Sequence, residues 1–117
     1  MNIRNAAFLF LASIVATGAV PTVSVLAEDA VEVPLKIQNH RFLPAVVNVP
    51  AGKNIRLVVT NADKTPEEFE SKSLRIERVI PGGKTAVFNV RPLEEGKRYS
   101  FVGEFHPATA KGELVAK

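Results

Sequence analysis

The sequence predicts an all-β fold, a single antiparallel Greek-key sandwich, on three observations. Apolar residues alternate with polar ones over short runs, the runs are rich in Val, Ile and Phe, and each is set off by a stretch carrying Pro, Gly, Asn or Asp. Period two sends successive side chains to opposite faces of a sheet, so each run offers one face to a core.

The first run is Val31, Val33, Leu35 and Ile37, alternating with polar residues or Pro34. Proline has no N–H for a ladder, which predicts an edge position. A second run, Ala45 to Val49, stops at the turn Pro50-Ala51-Gly52; Ile55, Leu57 and Val59 then alternate up to Asn61. Further strands are expected at Leu74–Ile80, Thr85–Val90, Arg98–Phe105 and Glu113–Ala116, separated by Pro81–Lys84, Pro92–Lys97 and His106–Gly112. Phe88, Tyr99 and Phe101 alternate within these runs and read as core rather than as a binding platform. Only Asp63 to Ser73 lacks alternation, and it reads as a loop or one helical turn. Gly103, inside a strand run, marks a bulge or a close backbone approach.

Ahead of these strands stand Arg4, an uncharged apolar run from Ala6 to Val20, and small residues Val25 and Ala27 at the positions a signal peptidase reads. Residues 1–27 are therefore expected to be a cleaved signal peptide and residues 28–117 one domain. An uncleaved anchor is the rival reading, but the apolar run is shorter than the roughly 20 residues that span a bilayer. The expected location is the periplasm, with no stable membrane insertion after cleavage.

The chain has no cysteine, which removes disulfides, thiolate copper, iron–sulfur ligation and thiol catalysis together. Net charge is +3 overall; without Arg4 the expected domain has 14 basic and 12 acidic residues, a net of +2. Charges this balanced and this mixed in sequence argue against nucleic acid. With two histidines in the chain, a hydrolase would need one as its base, and nothing nominates a nucleophile.

Read in order, "NHRFLPAVVNVPAGKNIRLVVTNAD", "TPEEFES" and "YSFVGEFHPATAKGEL" resemble the cupredoxin family over nearly the whole of residues 28–117. The resemblance implies a final hairpin that supplies metal ligands. Setting His106 on the family histidine puts Gly103 at the cysteine and Ala110 or Lys111 near the methionine, while the upstream family histidine falls on Glu67 or Glu68. The scaffold is kept and its soft ligands are gone. Imidazole and carboxylate favour harder ions, Cu(II), Fe(III), Mn(II) or Zn(II), over Cu(I). More particularly, "TPEEFES" and "GEFHPATA" are similar to cupredoxin-like proteins of bacterial periplasmic ferrous-iron uptake, which implies a periplasmic iron-binding protein and an inner-membrane iron permease as partners.

The candidate metal residues are His106, Glu68, Glu67, His40 and Glu104. His106, between Phe105 and Pro107, is a family-matched imidazole; its plainer reading is a surface histidine. Glu67, Glu68 and Glu70 repel one another unless a cation or the nearby Lys64, Lys72 and Arg75 offset them. His40 precedes Phe42 and Pro44 and is implied by the resemblance to lie at the metal-bearing end, within reach of His106. Glu104 shares a face with His106 if the strand persists that far, as a ligand, as an acceptor orienting an imidazole, or as a polar rim residue. The expected function is a copper- or iron-binding accessory of iron uptake, for binding, delivery or ferroxidase-like oxidation; the alternative is a metal-free sandwich that binds a protein partner.

Overall fold

The computed structural model describes residues 30–117; the expected signal peptide lies outside them. Within them the chain forms nine strands: β1 Val31–Gln38, β2 Arg41–Leu43, β3 Val46–Val49, β4 Ile55–Asn61, β5 Glu67–Ser71, β6 Ile76–Ile80, β7 Thr85–Val90, β8 Arg98–Gly103 and β9 Lys111–Ala116. They build two sheets, ordered β2-β1-β4-β7 and β3-β9-β8-β5-β6. Among the described residues no helix is long and apolar enough to cross a membrane.

The core follows from the alternation. Val33, Leu35 and Ile37 of β1, Ile55, Leu57 and Val59 of β4, and Ala86, Phe88 and Val90 of β7 turn inward from one sheet. Val49, Phe69, Ile80, Phe101, Leu114 and Ala116 meet them from the other. Four aromatic rings tie the layers together: Phe69 lies 5.3 Å from Phe101, 5.5 Å from Phe88 and 5.8 Å from Phe42, and Phe42 meets Phe101 edge-on at 4.8 Å. Tyr99 is only partly buried against this cluster, and its hydroxyl accepts the Glu94 N–H at 3.0 Å.

The structure departs from the sequence reading in four places. Residues 63–73 are not merely a loop, because β5 runs through them with Glu67, Phe69 and Ser71 buried in alternation. β2 is an additional short strand that closes a hairpin on β1. Two pairings, β1 with β4 and β3 with β9, are parallel, so the sandwich is mixed. β1 is not the edge strand, but β2 covers only Lys36–Gln38, so Pro34 has a ladder partner on one side alone and its missing N–H costs no bond there.

Candidate metal centre

One end of the sandwich gathers the β1–β2 turn, the start of β5 and the loop from β8 to β9. The turn residues Asn39 and His40 both have positive φ, 55° and 57°, the conformation of a two-residue type I′ hairpin. Asp63, just beyond β4, holds that turn: its carboxylate accepts the N–H of Asn39 at 2.7 Å and of His40 at 2.9 Å. Burial would raise the Asp63 carboxyl, but these two N–H donors and the nearby imidazoles outweigh it and hold the group below its ordinary value. Asp63 is itself placed by buried Asn61, whose Oδ1 accepts the Asp63 N–H at 3.0 Å while Nδ2 donates to the carbonyls of Thr65 and Ile80.

The β8–β9 loop is a tight turn. The His106 N–H donates to the Gly103 carbonyl at 3.0 Å, the Ala110 N–H to the His106 carbonyl at 2.9 Å, and the Gly103 N–H to the Ala110 carbonyl at 2.8 Å. Thr109 Oγ1 donates to the His40 carbonyl at 2.6 Å and so fastens this loop to the β1–β2 turn. The His40 ring then lies on the face of the His106 ring, centroids 3.5 Å apart and planes 11° from parallel.

Glu67 sits beneath them, 1% exposed. Its Oε1 accepts the N–H of Phe105 at 2.8 Å and of Glu68 at 3.0 Å, and its Oε2 lies 2.6 Å from His106 Nδ1. A buried carboxylate with a full set of donors is a stable arrangement, whereas removing any donor strands an acceptor away from water. Gly103 makes room for it. A Cβ on Gly103 would lie 2.6 Å from Glu67 Cδ, 2.7 Å from Ala110 Cβ and 2.8 Å from Glu67 Oε2.

Glu68 and Glu104 do not join this pair. β8 ends at Gly103, so the face that Glu104 was expected to share with His106 does not persist. The Glu104 N–H donates to the Glu68 carbonyl at 2.8 Å, and the two side chains join Glu70 and Glu77 in an exposed acidic patch. A hydrogen bond that its protonated form gives to Glu77, helped by slight desolvation and repulsion from its neighbours, raises the Glu68 carboxyl. A hydrogen bond that protonated Glu104 gives to Glu70, with repulsion from the Glu70 carboxylate, raises Glu104 against a small opposing pull from Lys72. Asp63, Gly103 and Thr109 were not among the sequence candidates. Only Gly103 had a readable signal, a glycine inside a strand run.

The model of the cupredoxin-like domain family matches residues 5–116. The chain belongs to that family. It is 39% identical over 88 residues to the uncharacterized protein RP394 of Rickettsia prowazekii (strain Madrid E), covering 75% of this chain and 70% of that one. Among solved structures it is similar to the metal binding domain of the Cu(I)-exporting P-type ATPase CopA of Streptococcus pneumoniae D39, at 17% identity and a TM-score of 0.64, covering 74% of this chain and 84% of that one. It is also similar to a purple cupredoxin from Nitrosopumilus maritimus, at 19% identity and a TM-score of 0.55 over 72% and 98% of the two chains. Auracyanin A, a blue copper protein of Chloroflexus aurantiacus, shares 10% identity at a TM-score of 0.63 over 75% and 99%. At these identities the structural likeness speaks for the fold alone.

In this cupredoxin-like domain a thiolate–thioether copper centre does not fit. The chain has no cysteine, and the Glu67 carboxyl and Ala110 fill the space beside Gly103 where a side chain would stand. The nitrogen and oxygen donors at the same end suit a harder cation. Among the described residues no three His, Asp or Glu side chains stand together with the spacing of a complete cation site. The stack explains part of that. An ion bound to imidazole lies near the ring plane about 2.0–2.1 Å from nitrogen, and two near-parallel rings stacked with centroids 3.5 Å apart offer no common point near both planes at that distance. His40 and His106 therefore do not share one ion as they stand.

Proposed function

We propose that this chain is an exported, periplasmic binding protein for a divalent cation, Cu(II) foremost, taken up where Glu67, His106 and His40 meet. The observation that carries the reading is the buried Glu67 carboxylate on the His106 imidazole, at the end of the sandwich where the resemblance implies the family's ligands. His106 is the donor, backed by Glu67. His40 is stacked on His106 at the same end, while Glu68 and Glu104 belong to the neighbouring acidic patch. Copper, when bound, supplies a Lewis-acidic centre. Without a thiolate the residues favour binding and delivery over rapid electron relay.

Family membership supports copper as the first ion to test, as do similar structures described as copper-binding or cupredoxin. Service to iron acquisition, beside an iron-binding protein and an inner-membrane permease, extends the proposal from the "TPEEFES" and "GEFHPATA" motifs. Metal analysis and calorimetric titration with Cu(II), Zn(II) and iron test it. One bound ion per chain with a raised melting temperature is expected, since a ligand that binds only the folded state adds RT ln(1 + [L]/Kd) to stability.

A second reading has its own observation. His106 Nδ1 and both Glu67 oxygens are already satisfied without metal, as in a metal-free sandwich that binds a protein partner. An empty protein whose melting temperature ignores all three ions would select it.

A further inference from the structure

We infer that Glu67 is a positioning residue that fixes the His106 ring with Nδ1–H turned inward and leaves Nε2 as the nitrogen that meets the cation. The inference rests on the cation-binding reading and specifies its site: the ion is held at the rim, outside the space that Glu67, Gly103 and Ala110 fill.

The geometry sets the direction of the hydrogen bond. Glu67 Oε1 already accepts two backbone N–H groups, from Glu68 and Phe105. An ionised carboxylate accepts at both oxygens, so with Glu67 ionised Oε2 has no proton to give and the imidazole supplies it across the 2.6 Å contact from Nδ1. The neutral ring that donates from Nδ1 carries its lone pair on Nε2. The Glu67 side chain is 2% exposed and the His106 side chain 27%, so the pair meets solvent through the imidazole and not through the carboxylate.

Two further contacts keep the ring from turning round. Its face is covered by His40, itself fixed through the Asp63 and Thr109 hydrogen bonds. The backbone on either side of the ring is pinned by the Phe105 N–H to Glu67 and by the His106 N–H to Gly103. Using Nδ1 as ligand would mean dislodging a carboxylate buried under two other hydrogen bonds, in a space where even a methyl group on Gly103 would overlap it. Nε2 asks for no such displacement. A carboxylate on the far nitrogen of an imidazole also raises its basicity and fixes its orientation toward a metal.

Glu67→Gln separates this role from mere packing, because it keeps the shape and changes one oxygen into a donor. The two backbone N–H groups still require the amide oxygen, so the amide NH2 faces Nδ1. That nitrogen must then accept, and the ring proton moves to Nε2. In the metal-free protein, long-range 15N–1H NMR is expected to show His106 as the Nδ1–H form in the unmutated chain and the Nε2–H form in Glu67→Gln. Titration is expected to show a 10–100-fold weaker affinity of the variant for Cu(II), and the 15N shift in the Zn(II)-loaded protein should change at Nε2. An Nε2–H ring in the unmutated metal-free protein overturns the inference whether or not metal binds. A Zn(II)-induced shift centred on Nδ1 also overturns it while leaving the cation reading intact. Absence of Cu(II) and Zn(II) binding overturns that reading, and with it the ligand role of Nε2, even where the Nδ1–H form is seen.

Discussion

Replacing Gly103 with alanine tests how tightly the end of the sandwich is filled. The added Cβ would stand 2.6 Å from Glu67 Cδ, 2.7 Å from Ala110 Cβ and 2.8 Å from Glu67 Oε2, each inside van der Waals contact. Neither neighbour retreats freely. Ala110 is fixed by hydrogen bonds to Gly103 and His106, and the Glu67 carboxyl by three donors. Overpacking of this kind costs about 1–3 kcal/mol, and a domain this small loses roughly 4–8 °C of melting temperature per kcal/mol. Urea unfolding should show a lower midpoint with unchanged slope. In a Glu67→Ala background two of the three close contacts are gone, so Gly103→Ala should cost less there, and the double-mutant cycle isolates the coupling. Equal costs in the two backgrounds, or a neutral Gly103→Ala in the unmutated chain, would refute the reasoning that the Glu67 carboxyl occupies this space.

Three other outcomes follow from the same geometry. Leu57→Ala, Ile37→Ala and Phe101→Ala, all in the buried core, should each cost about 2–5 kcal/mol by urea unfolding; Glu68→Ala should leave the fold standing, and comparable losses would make the acidic patch structural. Glu77→Gln should stabilise the protein at neutral pH, because the raised Glu68 carboxyl means its ionisation is penalised in the fold; that penalty is full above the folded value and absent below the ordinary 4.5, so the gain should vanish in acid. A melting series from pH 3 to 8 reads this, and a gain that persisted in acid would point to another cause. The Cu(II)-loaded protein should show weak d–d absorption without an intense blue band, since there is no cysteine to supply the charge transfer.

The layers and most of the core were legible in the alternation of Val, Leu, Ile and Phe, because burial of one face is written directly into period two. Strand direction was not, since alternation fixes which face a residue takes and says nothing of how its neighbour runs; hence the parallel β1–β4 and β3–β9 pairings. β5 was hidden for a physical reason. Its pattern is Glu67, Phe69 and Ser71 inside, and a reader counting apolar residues finds only Phe69. Glu67 becomes an inward residue only through the donors that Phe105 and His106 bring from 38 and 39 positions away. The family motifs singled out His106 and left Glu67 and Glu68 as alternatives, each read as a metal ligand; the contact between His106 and Glu67 was not legible. Nor was the clamp that brings His40 onto His106, because Asp63 reads in sequence as the start of a loop and its two bonds cross 23 and 24 residues.

The place of β9 bears on how the domain is made. β9, Lys111–Ala116, lies between β3 and β8, and among the described residues β3 has no other ladder partner. Val46 thus waits for Glu113 before it can pair. Until Lys111–Ala116 emerge, the second sheet lacks an interior strand, and its exposed edges are open to pairing with other chains. Pairings so distant in sequence form late and slowly, on the scale of milliseconds to seconds. Completion of this sheet therefore waits on one strand, and a chain lacking it is left with two unpartnered edges instead of a smaller domain.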